Sequence, residues 1–286
     1  MMQVYDNTVC GLGEGPLWHP LREQLFWFDI MGKTLYCRDG EQLHQWKFDE
    51  HVSAAGWVDR DTLLIASETA LLRFDINSGA HSKVIALDAD NPVTRSNDGR
   101  ADPFGGFWIG TMGKQAEPAA GAIYRYYRGE LRQLVGDVSI SNAICFAPDK
   151  SCAYYTDTVE QIIWRQPLDP LHGWPAGERE LLLDLRAENL HPDGAVCDAQ
   201  GNLWMAQWGA GRVAQYSPSG ELLQVIAAPA AHVTCPAFGG PNLHRLYVTS
   251  ATQDLSASEI AATPAGQTLY MDTDVTGQPE HSVMLA

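Results

Sequence analysis

No stretch of this 286-residue sequence stays apolar over the eighteen or so residues that a bilayer span requires. Nor does the N-terminus, Met1 to Asp6, show a basic segment leading into an apolar one. A soluble, cytoplasmic chain with no membrane partner is expected. Basic residues are scarce: 19 Lys and Arg stand against 35 Asp and Glu, and the resulting net charge of −16 repels phosphate backbones. Nucleic acid is excluded as a partner on that ground. There is no CxxC pair among the six cysteines (Cys10, Cys37, Cys145, Cys152, Cys197, Cys235), most of which sit in apolar stretches and read as reduced, buried small hydrophobes. GxSxG, HExxH and P-loop motifs are also missing, so serine-hydrolase, zincin and nucleotide chemistry have no support. Gly11, Gly13 and Gly15 have a spacing faintly like a dinucleotide-binding motif, but Pro16 and the β-type residues after it oppose the helix such a motif must open.

What the sequence does contain is a repeat. Six short runs rich in aromatic and β-branched residues begin at Leu25, Leu63, Phe107, Ala153, Leu203 and Leu246, at intervals of 38, 44, 46, 50 and 43 residues. Turn-forming clusters precede them (Asp59 to Asp61, Pro103 to Gly106, Pro148 to Lys150, Asp198 to Gly201), and a second strand-like segment generally follows. A unit of this length holding several short strands, repeated six times, predicts an all-β, six-bladed β-propeller spanning residues 1–286 as one domain. A two-sheet sandwich would also show many short strands, but it has no reason to repeat at blade length. Helical turns are expected only near Glu178 to Leu183 and Asp254 to Ala262. The segment Gln3 to Asp6 is placed in the last blade beside His281 to Leu285, where it would close the ring and remove an open sheet edge.

Four polar residues share one phase of the repeat. Glu14 lies 11 residues before Leu25, Asn97 lies 10 before Phe107, Asn142 lies 11 before Ala153, and Asp193 lies 10 before Leu203. Equivalent phase on the innermost strands of a propeller brings such residues to the central axis. Two carboxylates gathered there repel each other unless a cation sits between them. An oxygen-only donor set favours a hard ion, Ca²⁺ first, with Mg²⁺, Mn²⁺ or Zn²⁺ as alternatives. Singly, Asn97-Asp98-Gly99 and Pro192-Asp193-Gly194 are ordinary turn sequences; only their common phase points to a site. The corresponding positions near Ser53 and Cys235-Pro236 carry no charge. His191 and His232, near channel positions, read as structural histidines. Trp18, Trp108 and Trp208 read as core rather than as a sugar platform.

The motifs Gly13-Glu14-Gly15-Pro16-Leu17-Trp18, Arg95-Ser96-Asn97-Asp98-Gly99, Ser141-Asn142-Ala143, Pro192-Asp193-Gly194, and Phe238 to Gly240 with Leu246 to Ala251, resemble those of a known family. It is the family of gluconolactonases, senescence-marker-protein-30 (regucalcin) and luciferin-regenerating enzymes. The resemblance spans nearly the whole chain in the family's order. It implies a divalent metal ligated by Glu14, Asn142 and Asp193, with Arg95 and Asn97 contacting a sugar lactone. It also implies a substrate-contacting glutamate, to which Glu117 corresponds. Ala143 stands where many members carry glycine.

The expected activity is hydrolysis of a small sugar lactone of the glucono-, galactono- or arabinono- type by a monomer or weak homo-oligomer. A bound cation acts as a Lewis acid toward the carbonyl, Asp193 serves as general base as well as ligand, and Arg95 orients hydroxyls or steadies developing charge. The alternatives are a non-catalytic Ca²⁺-binding or regulatory propeller, and a hydrolase of another ester or lactone.

Overall fold

Each of the six aromatic runs lies in the second strand of a four-stranded antiparallel sheet. In the computed structural model, which describes residues 1–286, the six sheets stand as the blades of a β-propeller. The inner strands are Gly13–His19, Val52–Trp57, Thr94–Ala101, Ser141–Phe146, His191–Cys197 and Val233–Gly239. Second strands such as Gln24–Asp29 and Thr62–Ser67 are buried along their whole length, whereas an outermost strand such as Leu222–Ala227 is mostly exposed. Both faces of a blade pack on neighbouring blades. A second strand therefore reads as a continuous apolar run instead of an alternating one.

The core is divided among the interfaces between blades. Leu17, Phe26 and Phe28 of blade 1 meet Leu63, Ile65 and Phe74 of blade 2. Trp204 of blade 5 meets Phe238 of blade 6 edge-on, with ring centroids 5.5 Å apart. Trp18 of blade 1 stacks on Tyr247 of blade 6 at 5.8 Å, across the junction where the ring closes. Trp27, Trp108 and Trp204 are wholly buried, and burial of each large side chain stabilises the interface by roughly 2–3 kcal/mol. All six cysteines are buried and free, as their apolar settings imply.

Ring closure uses both ends of the chain. Gln3–Asp6 forms the outermost strand of the last blade, paired antiparallel with Thr268–Asp272. The partner is thus not His281 to Leu285. That tail crosses the channel end formed by the C-terminal ends of the inner strands. Gly277 bridges Asp198 of blade 5, Ser282 bridges Trp57 of blade 2, and the Met284 amide donates to the Gly105 carbonyl of blade 3 at 2.8 Å. Burial of Val283 between blades 2 and 3 and an ion pair between Glu280 and Arg100 hold it there. Asp254 to Ala262 contains the expected helix, Ala257–Ala262, opened by a Ser256–Glu259 capping box. Glu178 to Leu183 is not helical: Glu180–Asp184 is the outermost strand of blade 4, paired along Ile162–Pro167.

Candidate active site

Every inner strand breaks register near its N-terminal end. A bulge sets two residues against one and re-aims the side chains beside it. Glu14 and Asn142 are the last paired residues before their bulges, opposite Phe28 and Thr156; Asn97 and Asp193 fall inside theirs. The chain turns left-handed directly after two of them, with φ of 52° at Gly15 and 57° at Ala143. A Cβ on Gly15 would come within 2.2 Å of the Ser53 carbonyl oxygen, so only glycine fits there. Ala143 adopts the same conformation with its methyl in the core between blades 4 and 5, at a cost of about 1 kcal/mol.

The bulges deliver Glu14, Arg95, Asn97, Asn142 and Asp193 to one cavity of about 210 Å³ at the channel mouth. All five side chains are buried. A line of hydrogen bonds fixes their orientation. Arg95 Nη1 donates to Asn97 Oδ1 at 2.8 Å and to the Ser96 carbonyl at 2.9 Å. Asn97 Nδ2 donates to Asn142 Oδ1 at 3.2 Å and to the Ser141 carbonyl at 2.8 Å. Asn142 Nδ2 donates to Thr158 Oγ1 at 2.9 Å, and Thr158 in turn donates to the Pro192 carbonyl at 2.7 Å, beside Asp193. The line leaves the second lone pair of Asn142 Oδ1, and Nε and Nη2 of Arg95, for a ligand. Glu117 is not brought into this wall. Its carboxylate accepts from the Gln115 amide at 3.0 Å inside its own loop, while its neighbour Ala116 lines the cavity.

Electrostatics set the site apart. Burial pushes Glu14 from its ordinary 4.5 up to about 8, and Asp98 adds to the shift. Burial raises Asp193 well above the carboxylate range, helped by Glu14 and Asp98. The only donors close to these two carboxylates are single backbone amides, Gly15 for Glu14 at 3.1 Å and Gly194 for Asp193. Burial lowers Arg95 to about 10, still far above neutrality, so the guanidinium is charged. Along the axis four buried acids (Glu14, Asp98, Asp193, Glu280) face two buried arginines (Arg95, Arg100). Were all four acids ionised, they would exceed the arginines by two negative charges, the charge of one divalent cation; without such a cation the raised Glu14 and Asp193 hold their protons instead.

The residues present fit such an ion. Glu14 and Asp193 offer under-bonded carboxylate oxygens, and Asn142 offers an amide oxygen held in place from both sides. No three His, Cys, Asp or Glu side chains gather around a point, because the third donor of this set is an amide. An all-oxygen set of this kind suits a hard cation. A second cavity, at the end crossed by the tail, has room for about one water among Arg100, Cys145, Cys197 and Glu280, too little for a sugar.

Three residues at or near the site, Asp98, Thr158 and Asp254, are given no role by sequence, and a fourth, Trp208, reads there as core. Asp98 lies in the same bulge as Asn97, faces the axis near Glu14 and Asp193, and accepts from the Ile144 amide at 2.7 Å. Thr158 and Trp208 end or follow second strands, and Asp254 belongs to the segment between the last two strands. Trp208 corrects its reading as core: it is half-buried and lines the cavity, whereas Trp18 and Trp108 do lie in the core. His232 is structural as expected, stacked on Trp208 with Nδ1 at 2.9 Å from the Gln253 carbonyl oxygen.

Fold and pocket together define a six-bladed propeller with a cavity lined by carboxylate and amide oxygens at one mouth of its axis. The chain belongs to the family described as the SMP-30/Gluconolactonase/LRE-like region, whose model matches residues 12–252. Among similar proteins is a 6-deoxy-6-sulfogluconolactonase of Pseudomonas putida, 36% identical over 88% of this chain and 88% of its own length. An L-arabinolactonase of Azospirillum brasilense is 36% identical over 90% of this chain and 87% of the relative. The crystal structure of a calcium-binding protein, regucalcin, from Agrobacterium tumefaciens str. C58 superposes with a TM-score of 0.97 at 37% identity, covering 100% of this chain and 98% of that one.

Proposed function

We propose that this protein is a divalent-metal-dependent lactonase that opens a sugar lactone to its aldonic acid. The observation that carries the reading is the convergence of two unbalanced buried carboxylates, an oriented amide and a charged arginine on one cavity. Membership of a family with relatives named as sugar lactonases supports the substrate class. Those names carry different sugars, so the family alone does not choose the ring.

Glu14, Asn142 and Asp193 would hold the ion. When bound, a divalent cation supplies Lewis acidity toward the lactone carbonyl and makes water a better nucleophile. The protein's own side chains do the remaining work. Asp193, buried in the cavity lining, takes the proton from the attacking water as the water oxygen bonds to the carbonyl carbon. The ring C–O bond then breaks, and the protonated Asp193 passes that proton to the departing ring oxygen, which leaves as a hydroxyl and restores the carboxylate. The free Arg95 nitrogens face the lactone and steady negative charge that develops on its oxygen. Asn97, with its amide committed to both neighbours, keeps Arg95 and Asn142 in register.

The test is acid release from a panel of aldonolactones by chelator-stripped protein as Ca²⁺, Mg²⁺, Mn²⁺ and Zn²⁺ are returned singly. Turnover should vanish on stripping, return with at least one ion, and fall by about 10²–10⁴-fold in Asp193→Asn. Hydrolysis indifferent to chelation would overturn the metal dependence. No hydrolysis with any ion would leave a cation-binding propeller without this chemistry.

A further inference from the structure

We propose that Trp208 and Asp254 form a recognition face for an uncharged sugar ring, Trp208 receiving the ring's C–H face and Asp254 turning away anionic substituents. The proposal rests on the reading of the pocket as a sugar-lactone site, and it names which members of that class the site accepts.

Trp208 is the last residue of the second strand of blade 5. Leu12, Ile30 and Ala251 pack against it. His232 covers one face of the indole, with ring centroids 4.1 Å apart and planes 17° from parallel. The histidine is itself held, its Nδ1 donating to the Gln253 carbonyl oxygen at 2.9 Å and its own carbonyl accepting from the Ala251 amide at 2.9 Å. His232 thus covers one indole face, and the half-buried Trp208 also lines the cavity. A sugar ring carries C–H groups on its faces and hydroxyls at its edge. Laid on an aromatic face, it buries apolar surface while the hydroxyl edge stays free for Arg95.

Charge decides what else the ring can carry. Arg95 is the only cation lining the cavity, against Glu14, Asp193 and Asp254. Asp254 lines the same cavity but is exposed, and no side-chain cation pairs with it. Its carboxylate meets only the Gln253 amide, at 3.4 Å, and its segment is pinned by the Gln253 amide donating to the Gly11 carbonyl at 3.0 Å. Lys114, in the loop that carries Ala116, is paired with Glu68. A phosphate or sulfonate set against Asp254 meets repulsion there, while Arg95, the one cation of the cavity, is engaged with Asn97 and with the hydroxyl edge of the ring.

The test is calorimetric binding of two probes that cannot be hydrolysed, 1,5-anhydroglucitol and its 6-phosphate, to the full-length protein. The neutral probe should bind about tenfold tighter than the phosphate. Trp208→Ala should weaken the neutral probe by about tenfold, whereas Trp208→Phe, which keeps an aromatic face, should stay within about threefold. Asp254→Asn should narrow the gap between the probes to below about threefold. Equal affinity for both probes, no binding of the neutral one, or a neutral affinity unmoved in Trp208→Ala would each overturn the proposal. In turnover, Trp208→Ala should raise KM with kcat largely kept, a split that mere loss of folded protein does not produce. Probes that discriminate while no lactone is opened would sink the lactonase reading alone. Lactone turnover without discrimination would sink the recognition face alone.

Discussion

The Asn97 amide nitrogen lies 3.2 Å from the Asn142 amide oxygen, and Thr158 holds the opposite end of the Asn142 amide at 2.9 Å. Asn142 is therefore locked with its oxygen toward the axis, although it is the only uncharged member of the proposed ligand set.

Thr158 is the residue through which that lock is best tested. Thr158→Val keeps the shape but removes the hydroxyl that joins Asn142 to the Pro192 carbonyl. Affinity for Ca²⁺ or Mn²⁺, followed by titration calorimetry, should drop by about 10–100-fold. Thr158→Ser should retain most of it. Unchanged affinity in the valine variant would remove Thr158 from the support of the site.

The raised carboxylates give the metal-free protein a distinctive pH dependence. Glu14, at about 8 in the fold against an ordinary 4.5, keeps its proton in the native state at pH values where the unfolded chain has lost it. The native state then binds more protons, so stability falls as pH rises through that window. Asp98, raised from 3.8 to about 6, acts with the same sign over a lower range. His19 and His281 are lowered by burial and act with the opposite sign, but chiefly below their ordinary 6.5. Between pH 6.5 and 8 the carboxylate slope should dominate urea unfolding in chelator. In Glu14→Gln the slope should flatten, with a stability gain at pH 8 on the order of 1–3 kcal/mol. A slope identical to that of the natural sequence would contradict an ionisable buried Glu14.

Gly15 and Ala143 make a paired test of backbone geometry. Gly15→Ala places a methyl against the Ser53 carbonyl at a positive φ and should destabilise by at least about 2 kcal/mol in denaturant unfolding. Ala143→Gly relieves the same conformation while losing a buried methyl, so the net change should stay within about 1 kcal/mol. Equal effects at the two positions would show that the close approach at Gly15 is not what selects glycine.

The propeller was legible because its physics is repetitive. Both faces of each second strand are buried, so Leu25, Leu63, Phe107, Ala153, Leu203 and Leu246 all open apolar runs that recur at blade length. Glu14, Asn97, Asn142 and Asp193 were legible for the same reason, since one phase of the repeat leads to one axis. Asp98 was hidden because a bulge lets two consecutive residues face the same side, which the alternation of a regular strand forbids. Trp208 and Asp254 stand where strands end and insertions begin, outside the repeat's phase. The closing tail was misplaced because single contacts fix it: Val283 between two blades and Glu280 on Arg100. Neither leaves a periodic trace.

The central claim, that one divalent cation is held by side chains from three different blades, is tested most directly by an anomalous difference map from crystals soaked in Mn²⁺. One strong axial peak is expected, about 2.0–2.6 Å from oxygens of Glu14, Asn142 and Asp193. No peak at the axis, or a peak bound by other residues, would contradict it.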